Sequence, residues 1–335
     1  VWPQLRGYCA VDGAPLLLVE GLRVRLGGVE VLHGVTLREE GPGYLVVVGP
    51  SGSGKTTLLR GVAGLVEPSG GRVVVAGRDV TLLPPWERGV AMVQQSPGLL
   101  PHLSVLENVA LAAELRRGLG RGEARRLAEE LLGELGLGGL EGRRPGELSG
   151  GQLQRAAIAV ALATGAPLLL LDEPLSHLDR LTSERLRGLL RRVQRENRLL
   201  AVHVTHDLDE ALVLADRLAV LIEGSLAAYG DADEVYRCPR SLEAARLLGH
   251  GAAPARLLGL GGEGLVTLAP DYVGLRPGGD WVVESVERER GRLRVTVAKQ
   301  GYRLHAYIHP SEAQGLGPGA RARPVLLGEP CLPQA

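Results

Sequence analysis

The chain has 335 residues, with 38 basic against 38 acidic side chains for a formal net charge of zero, and a hydrophobic fraction of 45%. That length and apolar content suit one large domain and one small one. The charge balance lacks the basic excess of a nucleic-acid binder, and apolar runs such as 16–19 and 168–171 close at Glu20 and Asp172, far short of the roughly 20 residues that cross a bilayer.

Almost all the positive charge is arginine, since Lys55 and Lys299 are the only lysines, and phenylalanine is absent. Cys9, Cys238 and Cys331 are scattered, with no CxxC pair, so neither a disulfide framework nor a clustered zinc site is expected. A reducing cytoplasm is the natural compartment for such a chain. With no secretory leader expected, any work at a membrane is done from outside it, through a partner.

In chain order, residues 1–15 carry Trp2, Pro3, Gly7, Gly13 and Pro15 without a period and read as a loose lead-in. Segments 16–26 and 30–37 have the short apolar stretches of an edge sheet, joined at Gly27-Gly28. The run 44–48 shows no alternation, which predicts a strand buried on both faces. It feeds into Gly49-Pro50-Ser51-Gly52-Ser53-Gly54-Lys55-Thr56, and 57–62 continues as helix. From about 96 to 163 the pattern is mostly helical. Ala124, Leu127, Ala128, Leu131, Leu132 and Leu135 recur at helical spacing, and 154–162 is a second, Ala-rich helix. Strands are expected again at 167–171, 199–204 and 218–222, with a helix over 181–195 and another around 211–215. After Gly249 the segments 281–286, 293–297, 302–308 and 321–327 are β-rich and partly alternating, a small barrel-like domain. The expected organisation is therefore a lead-in over 1–15, an α/β domain over 16–240 with a helical subdomain at about 96–163, and a linker with a small β-barrel over 241–335.

Gly49 to Thr56 fits GxxxxGK[ST] in full, after a strand and before a helix, the context that motif requires. Its glycines let successive backbone N–H groups turn inward, and the helix start that follows, continuing through Thr57, adds a favourable field for phosphate. Lys55 can reach the β- and γ-phosphates of a nucleoside triphosphate, and the Thr56 hydroxyl is placed for Mg2+. Downstream, four leucines put Asp172 and Glu173 at the carboxyl end of a buried strand, where α/β folds bind ligands. Asp172 suits a hold on Mg2+, and Glu173 can orient and polarise an attacking water.

Leu148-Ser149-Gly150-Gly151-Gln152, followed by Leu153-Gln154-Arg155, resembles the signature of the ABC ATPases. The other family motifs fall in order. Gln95 aligns with the Q-loop glutamine, Ser176-His177-Leu178-Asp179 with the D-loop (His177 standing where Ala is frequent), and His206 with the switch histidine. The resemblance covers roughly residues 16–250. It implies a P-loop NTPase fold with ATP and Mg2+ as cofactors. It also implies catalytic roles for Lys55, Gln95, Glu173 and His206, and magnesium contacts from Thr56, Gln95 and Asp172. Ser149, Gly150, Gly151 and Gln152 would contact the γ-phosphate held by a second copy of the chain, with Asp179 at the interface between the two copies. Off-motif His33, His203 and His250 read as structural. Two positions depart from the family pattern. Leu26 stands where an aromatic ring usually stacks on adenine, with Tyr44 or a lead-in residue as the alternative base contact, and Gln94 precedes Gln95 where Phe is common.

Segment 97–105 resembles the family stretch that lines the groove for a coupling helix of the membrane permease, with His102 and Leu103 as contact candidates. Residues 216–221, 233–236 and 272–277 are similar to the exit region and the TOBE/OB-like regulatory domain of importer ATPases for ferric iron, small anions, sugars, thiamine or polyamines. The resemblance thus implies a homodimer on the cytoplasmic face of the cell (inner) membrane. Its partners would be the permease and, indirectly, an extracytoplasmic solute-binding protein. An exporter ATPase, or a soluble ABC ATPase acting in DNA repair or translation, are the alternative readings.

Overall fold

The computed structural model describes residues 14–176, 178–260, 264–289, 291–328 and 330–331. Most of the lead-in, Cys9 and His177 lie outside the described residues. Two compact units divide between Leu226 and Ala227.

The first unit opens with β1 (Leu17–Leu26) and β2 (Val29–Glu39), an antiparallel pair turned at Gly27-Gly28. β3 (Gly43–Val48) runs into α1 (Lys55–Ala63). β4 (Gly70–Val75) and β5 (Arg78–Asp79) return to the first pair and complete a four-stranded sheet of order β2-β1-β4-β5. β6 (Val90–Val93) is followed by three helices, α2 (Val105–Arg117), α3 (Arg121–Glu134) and α4 (Gly150–Ala163). Ser104 and Glu107 form a reciprocal cap on α2, which sets its start. The buried face of α3 is Ala124, Leu127, Ala128, Leu131 and Leu132, the helical spacing of its apolar residues.

The chain then alternates strand and helix: β7 (Leu168–Asp172), α5 (Arg180–Asn197), β8 (Leu200–Thr205), α6 (Leu208–Leu214), β9 (Arg217–Ile222) and β10 (Ser225–Asp231), within which the division falls. These strands join β3 and β6 in a sheet of order β10-β9-β3-β8-β7-β6, parallel from β9 to β6. β7 and β8 are buried at every residue, which is why their sequences run apolar instead of alternating. Parallel register brings the carboxyl ends of β3, β6, β7 and β8 to one edge, and the loops leaving that edge carry the site.

The second unit holds α7 (Ala232–Arg237) and α8 (Leu242–Leu247), then β11 (Gly251–Pro254), β12 (Leu265–Leu268), β13 (Val273–Glu289), β14 (Arg292–Lys299), β15 (Tyr302–Ile308) and β16 (Arg321–Leu326). Their sheet, of order β12-β11-β15-β14-β13-β16, forms a half-barrel consistent with an OB-like domain. The long β13 pairs with β16 through its first part and β14 through its second, with a break of register between Pro277 and Trp281. Trp281, Val283, Val295, Val297, Leu304, Ala306 and Ile308 alternate along these strands and make the core.

One sequence expectation is overturned here. Cys238 and Cys331 form a disulfide, their Cα atoms 5.1 Å apart across 93 residues of chain. Sheet pairing makes the meeting: Thr267 of β12 exchanges both backbone hydrogen bonds with Cys331, at 2.9 and 3.1 Å. Linear cysteine spacing carries no record of such a long-range pairing. Among the described residues, no helix is long and apolar enough to cross a membrane.

Candidate functional site

The phosphate loop connects β3 to α1. Gly49 has no room for a side chain: a Cβ there would collide with the Leu221 carbonyl oxygen and come within 2.6 Å of Ser53 Oγ. Gly54 caps α1 at φ 99°, a conformation that favours glycine. Lys55 is buried, and its Nζ donates to the carbonyls of Gly49 and Pro50 at 2.8 and 2.9 Å. Burial lowers its pKa, while the carboxylates of Glu173 and Asp172 act in the opposite direction. Ser53 Oγ is buried without a hydrogen-bond partner. A buried polar atom left orphaned inside a ring of backbone amides is what an anion-binding loop offers.

Asp172 ends β7 and accepts a hydrogen bond from the Thr56 hydroxyl at 2.8 Å, tying α1 to the neighbouring strand end. Its pKa is raised by burial, against the lowering effect of Thr56, Arg60 and Lys55. Thr56 and Asp172 are oxygen donors, the kind Mg2+ prefers, and Gln95 carries a side-chain oxygen of the same kind. β6 pairs with β7 so that Val93 opposes Leu171. Gln95, two residues past Val93, therefore leaves at the edge where Asp172 and Glu173 stand.

Glu173 adopts φ 45°, in the left-handed region that few non-glycine residues occupy. Its N–H donates to the Val204 carbonyl at 3.1 Å, and its Oε1 lies 3.2 Å from His206 Nδ1. A carboxylate and an imidazole from adjacent loops thus stand beside the phosphate loop, where such backbone strain commonly marks function.

The signature residues occupy another element. Ser149 caps α4: its Oγ accepts from the Gln152 N–H at 3.4 Å, while Gln152 Oε1 accepts from the Ser149 N–H at 2.9 Å. Ser149 and Gly150 are exposed, and Gly151 and Gln152 are half-buried. Asp179 caps α5, accepting from the Thr182 N–H and hydroxyl at 3.0 and 2.6 Å. The Thr182 hydroxyl hydrogen bond is the main cause that lowers its pKa. Leu26 ends β1 at 43% exposure. Tyr44, the alternative base contact, is excluded. It is fully buried and its hydroxyl is 2.9 Å from His203 Nδ1, because it points into a sheet covered on both faces.

An apolar groove of about 520 Å3 lies between the strands around β6 and the helices α2 and α4. Leu99 and Leu100 of the expected segment line it, whereas His102 and Leu103 are not among its lining residues. Trp86 and Leu115, which line the same groove, are 67% and 74% exposed. Neither was singled out from spacing, since Trp86 follows a Leu-Leu-Pro-Pro turn and Leu115 continues the apolar residues of a helix.

The ABC transporter family pattern matches residues 32–176. The chain is 45% identical over 253 residues to the "Fe(3+) ions import ATP-binding protein FbpC" of Rhizobium etli, covering 75% of this chain and 71% of that one. It is 38% identical over 317 residues to the "Molybdate/tungstate import ATP-binding protein WtpC" of Thermococcus kodakarensis, covering 91% and 93%. Among solved structures, the dimeric post-hydrolysis state of the ATP-binding cassette MJ0796 bound to ADP and Pi matches with a TM-score of 0.59 and 30% identity. That match spans 64% of this chain and 98% of that one.

Proposed function

The chain belongs to the ABC transporter family as an ATP-binding subunit that hydrolyses ATP, and from that membership we propose how its residues divide the work of powering solute import. Lys55, the loop amides and Thr57 hold the triphosphate of ATP. Thr56, Asp172 and Gln95 would hold Mg2+, which would supply charge neutralisation to the bound phosphates. Glu173 orients the attacking water and His206 braces the γ-phosphate side of the site. Ser149, Gly150, Gly151 and Gln152 close on that phosphate from a second copy of the chain, with Asp179 at the shared interface.

The observation that carries this reading is the separation of the two phosphate-binding elements. Lys55, Glu173 and His206 gather at one end of the parallel sheet, while Ser149 presents an exposed helix start elsewhere on the same chain. A helix start favours an anion through its dipole, and this one is exposed at Ser149 and Gly150. One chain with two such elements is best served by a ligand shared between two copies.

The groove beside β6 is the proposed seat of a permease helix, supported by the exposure of the apolar Trp86 and Leu115 on a mostly apolar wall. The chain would then work on the inner face of the membrane, and a binding protein outside would deliver the solute. The relatives' names carry ferric iron and molybdate or tungstate, so a small inorganic ion is the solute class proposed. Glu173→Gln tests the assignment: MgATP binding is retained and turnover falls at least about 100-fold. Unchanged turnover in that variant would overturn the role given to Glu173.

A further inference from the structure

A polar chain of buried Tyr44, His203, Glu210 and Thr205 runs through the parallel sheet to the backbone on both sides of His206. His203 is completely buried in the middle of β8, between apolar Val202 and Val204. Its Nδ1 lies 2.9 Å from the Tyr44 hydroxyl on β3, and its Nε2 lies 2.9 Å from Glu210 Oε1 on α6. The other Glu210 oxygen accepts from the Thr205 hydroxyl at 2.8 Å, and Thr205 Oγ1 accepts from the Asp207 N–H at 3.0 Å. Thr205 and Asp207 are the two chain neighbours of His206. The Asp207 carboxylate in turn accepts from the N–H groups of Asp209 and Glu210. The turn carrying His206 and the first turn of α6 are therefore one hydrogen-bonded unit.

The far end of the chain is also fixed. Tyr44 donates its N–H to Asp216 Oδ2 and accepts from the Asp216 N–H, both at 2.8 Å. Arg191 sits 5.8 Å from the Tyr44 ring centre and pairs with Asp216. Burying an imidazole in the sheet with a carboxylate from α6 against it costs desolvation that such a pair seldom recovers as stability. Packing alone would be met by an aromatic side chain at position 203. What the polar groups add is a connection: Glu210 links His203 to Thr205, and Thr205 in turn holds the Asp207 N–H on the other side of His206.

We propose that His203 is a positioning residue for ATP hydrolysis, acting through Glu210 and Thr205 to fix the turn that holds the His206 imidazole against Glu173. This rests on the assignment of Glu173 and His206 to hydrolysis, and the test separates the two claims. The full-length chain is compared as His203→Phe, Glu210→Gln, His206→Ala and the double variants, with kcat, KM for ATP and melting temperature measured for each. His203→Phe and Glu210→Gln should each lower kcat about 10- to 100-fold, the scale expected for misplaced reacting groups, with KM changed less than about two-fold. In the His206→Ala background either substitution should change kcat by less than about two-fold, because the group being positioned is gone. His203→Gln, which keeps a donor toward Glu210, should recover part of the loss. If His203→Phe does not fold, Glu210→Gln carries the same comparison. Equal fold losses in both backgrounds would overturn the positioning role while leaving His206 in place. Full activity of His206→Ala would instead overturn the underlying assignment, and the positioning role with it.

Discussion

Glu173 and His206 leave different strands, β7 and β8, yet their side chains meet at 3.2 Å. Parallel pairing of Asp172 with Val204 sets the two strand ends level, and the Glu173 N–H closes onto the Val204 carbonyl. Glu173 makes this contact from a backbone at φ 45°, a conformation that costs on the order of 1–3 kcal/mol.

Replacing Glu173 with glycine should therefore separate stability from activity. Glycine meets the left-handed conformation without a Cβ penalty, so Glu173→Gly should hold or raise unfolding free energy by about 0.5–1 kcal/mol while turnover is lost. Urea denaturation and an ATPase assay on one preparation read both quantities. A marked loss of stability would mean that the Glu173 side chain, not its backbone strain, dominates the local energetics.

The phosphate loop has a steric requirement at Gly49. A methyl group there meets the Leu221 carbonyl oxygen and Ser53 Oγ, and backbone cannot yield as a flexible side chain can. Gly49→Ala should cost about 1–3 kcal/mol of stability and weaken ATP binding at least about ten-fold by displacing the loop amides. Nucleotide titration beside thermal unfolding checks this, and wild-type affinity would contradict it.

In the second unit His250 is buried, its Nε2 2.7 Å from the Tyr236 carbonyl. Burial pushes its pKa down from 6.5 to about 4, with the bond to Tyr236 opposing. The folded chain thus refuses a proton that the unfolded chain accepts. The neutral histidine is stable above pH 6.5, and stability is lost as pH falls from there toward about 4, by up to about 3 kcal/mol. His250→Asn should flatten that part of the stability profile relative to wild type. Parallel profiles for the two proteins would contradict the assignment.

The Cys238–Cys331 bond closes a span of 93 residues, for which the chain-entropy model gives about 4–5 kcal/mol. Reductant, or Cys238→Ser without it, should lower the unfolding temperature of the second unit and leave ATP turnover little changed. Thiol titration of the denatured protein should find two more thiols after reduction than before. Equal counts would show that the bond is absent.

The candidate site was legible because its motifs are written in contiguous residues: Gly49 to Thr56 and Asp172-Glu173 each occupy one loop or strand end of the parallel sheet, and Ser149 to Gln152 one helix start on another element. The buried apolar strands were legible for a related reason, since two covered faces demand uninterrupted apolar runs such as 44–48. What sequence did not show depends on distant pairing. Cys238 and Cys331 meet only because a carboxy-terminal bridge returns to β12. His203 reads as an isolated histidine until β3 and α6 bring Tyr44 and Glu210 to its two nitrogens. The spacing of Asp207 and Glu210 did carry a usable signal, a helix cap with a carboxylate three residues on. Here that carboxylate turns back to Thr205 instead of closing the cap.

The most direct measurement is the molecular mass in solution of the full-length Glu173→Gln variant, by sedimentation, with and without saturating MgATP. A nucleotide-dependent dimer, lost on adding Ser149→Arg, is expected if Lys55 of one copy and Ser149 of the other grip the same triphosphate. A strictly monomeric species with ATP bound would contradict that shared grip.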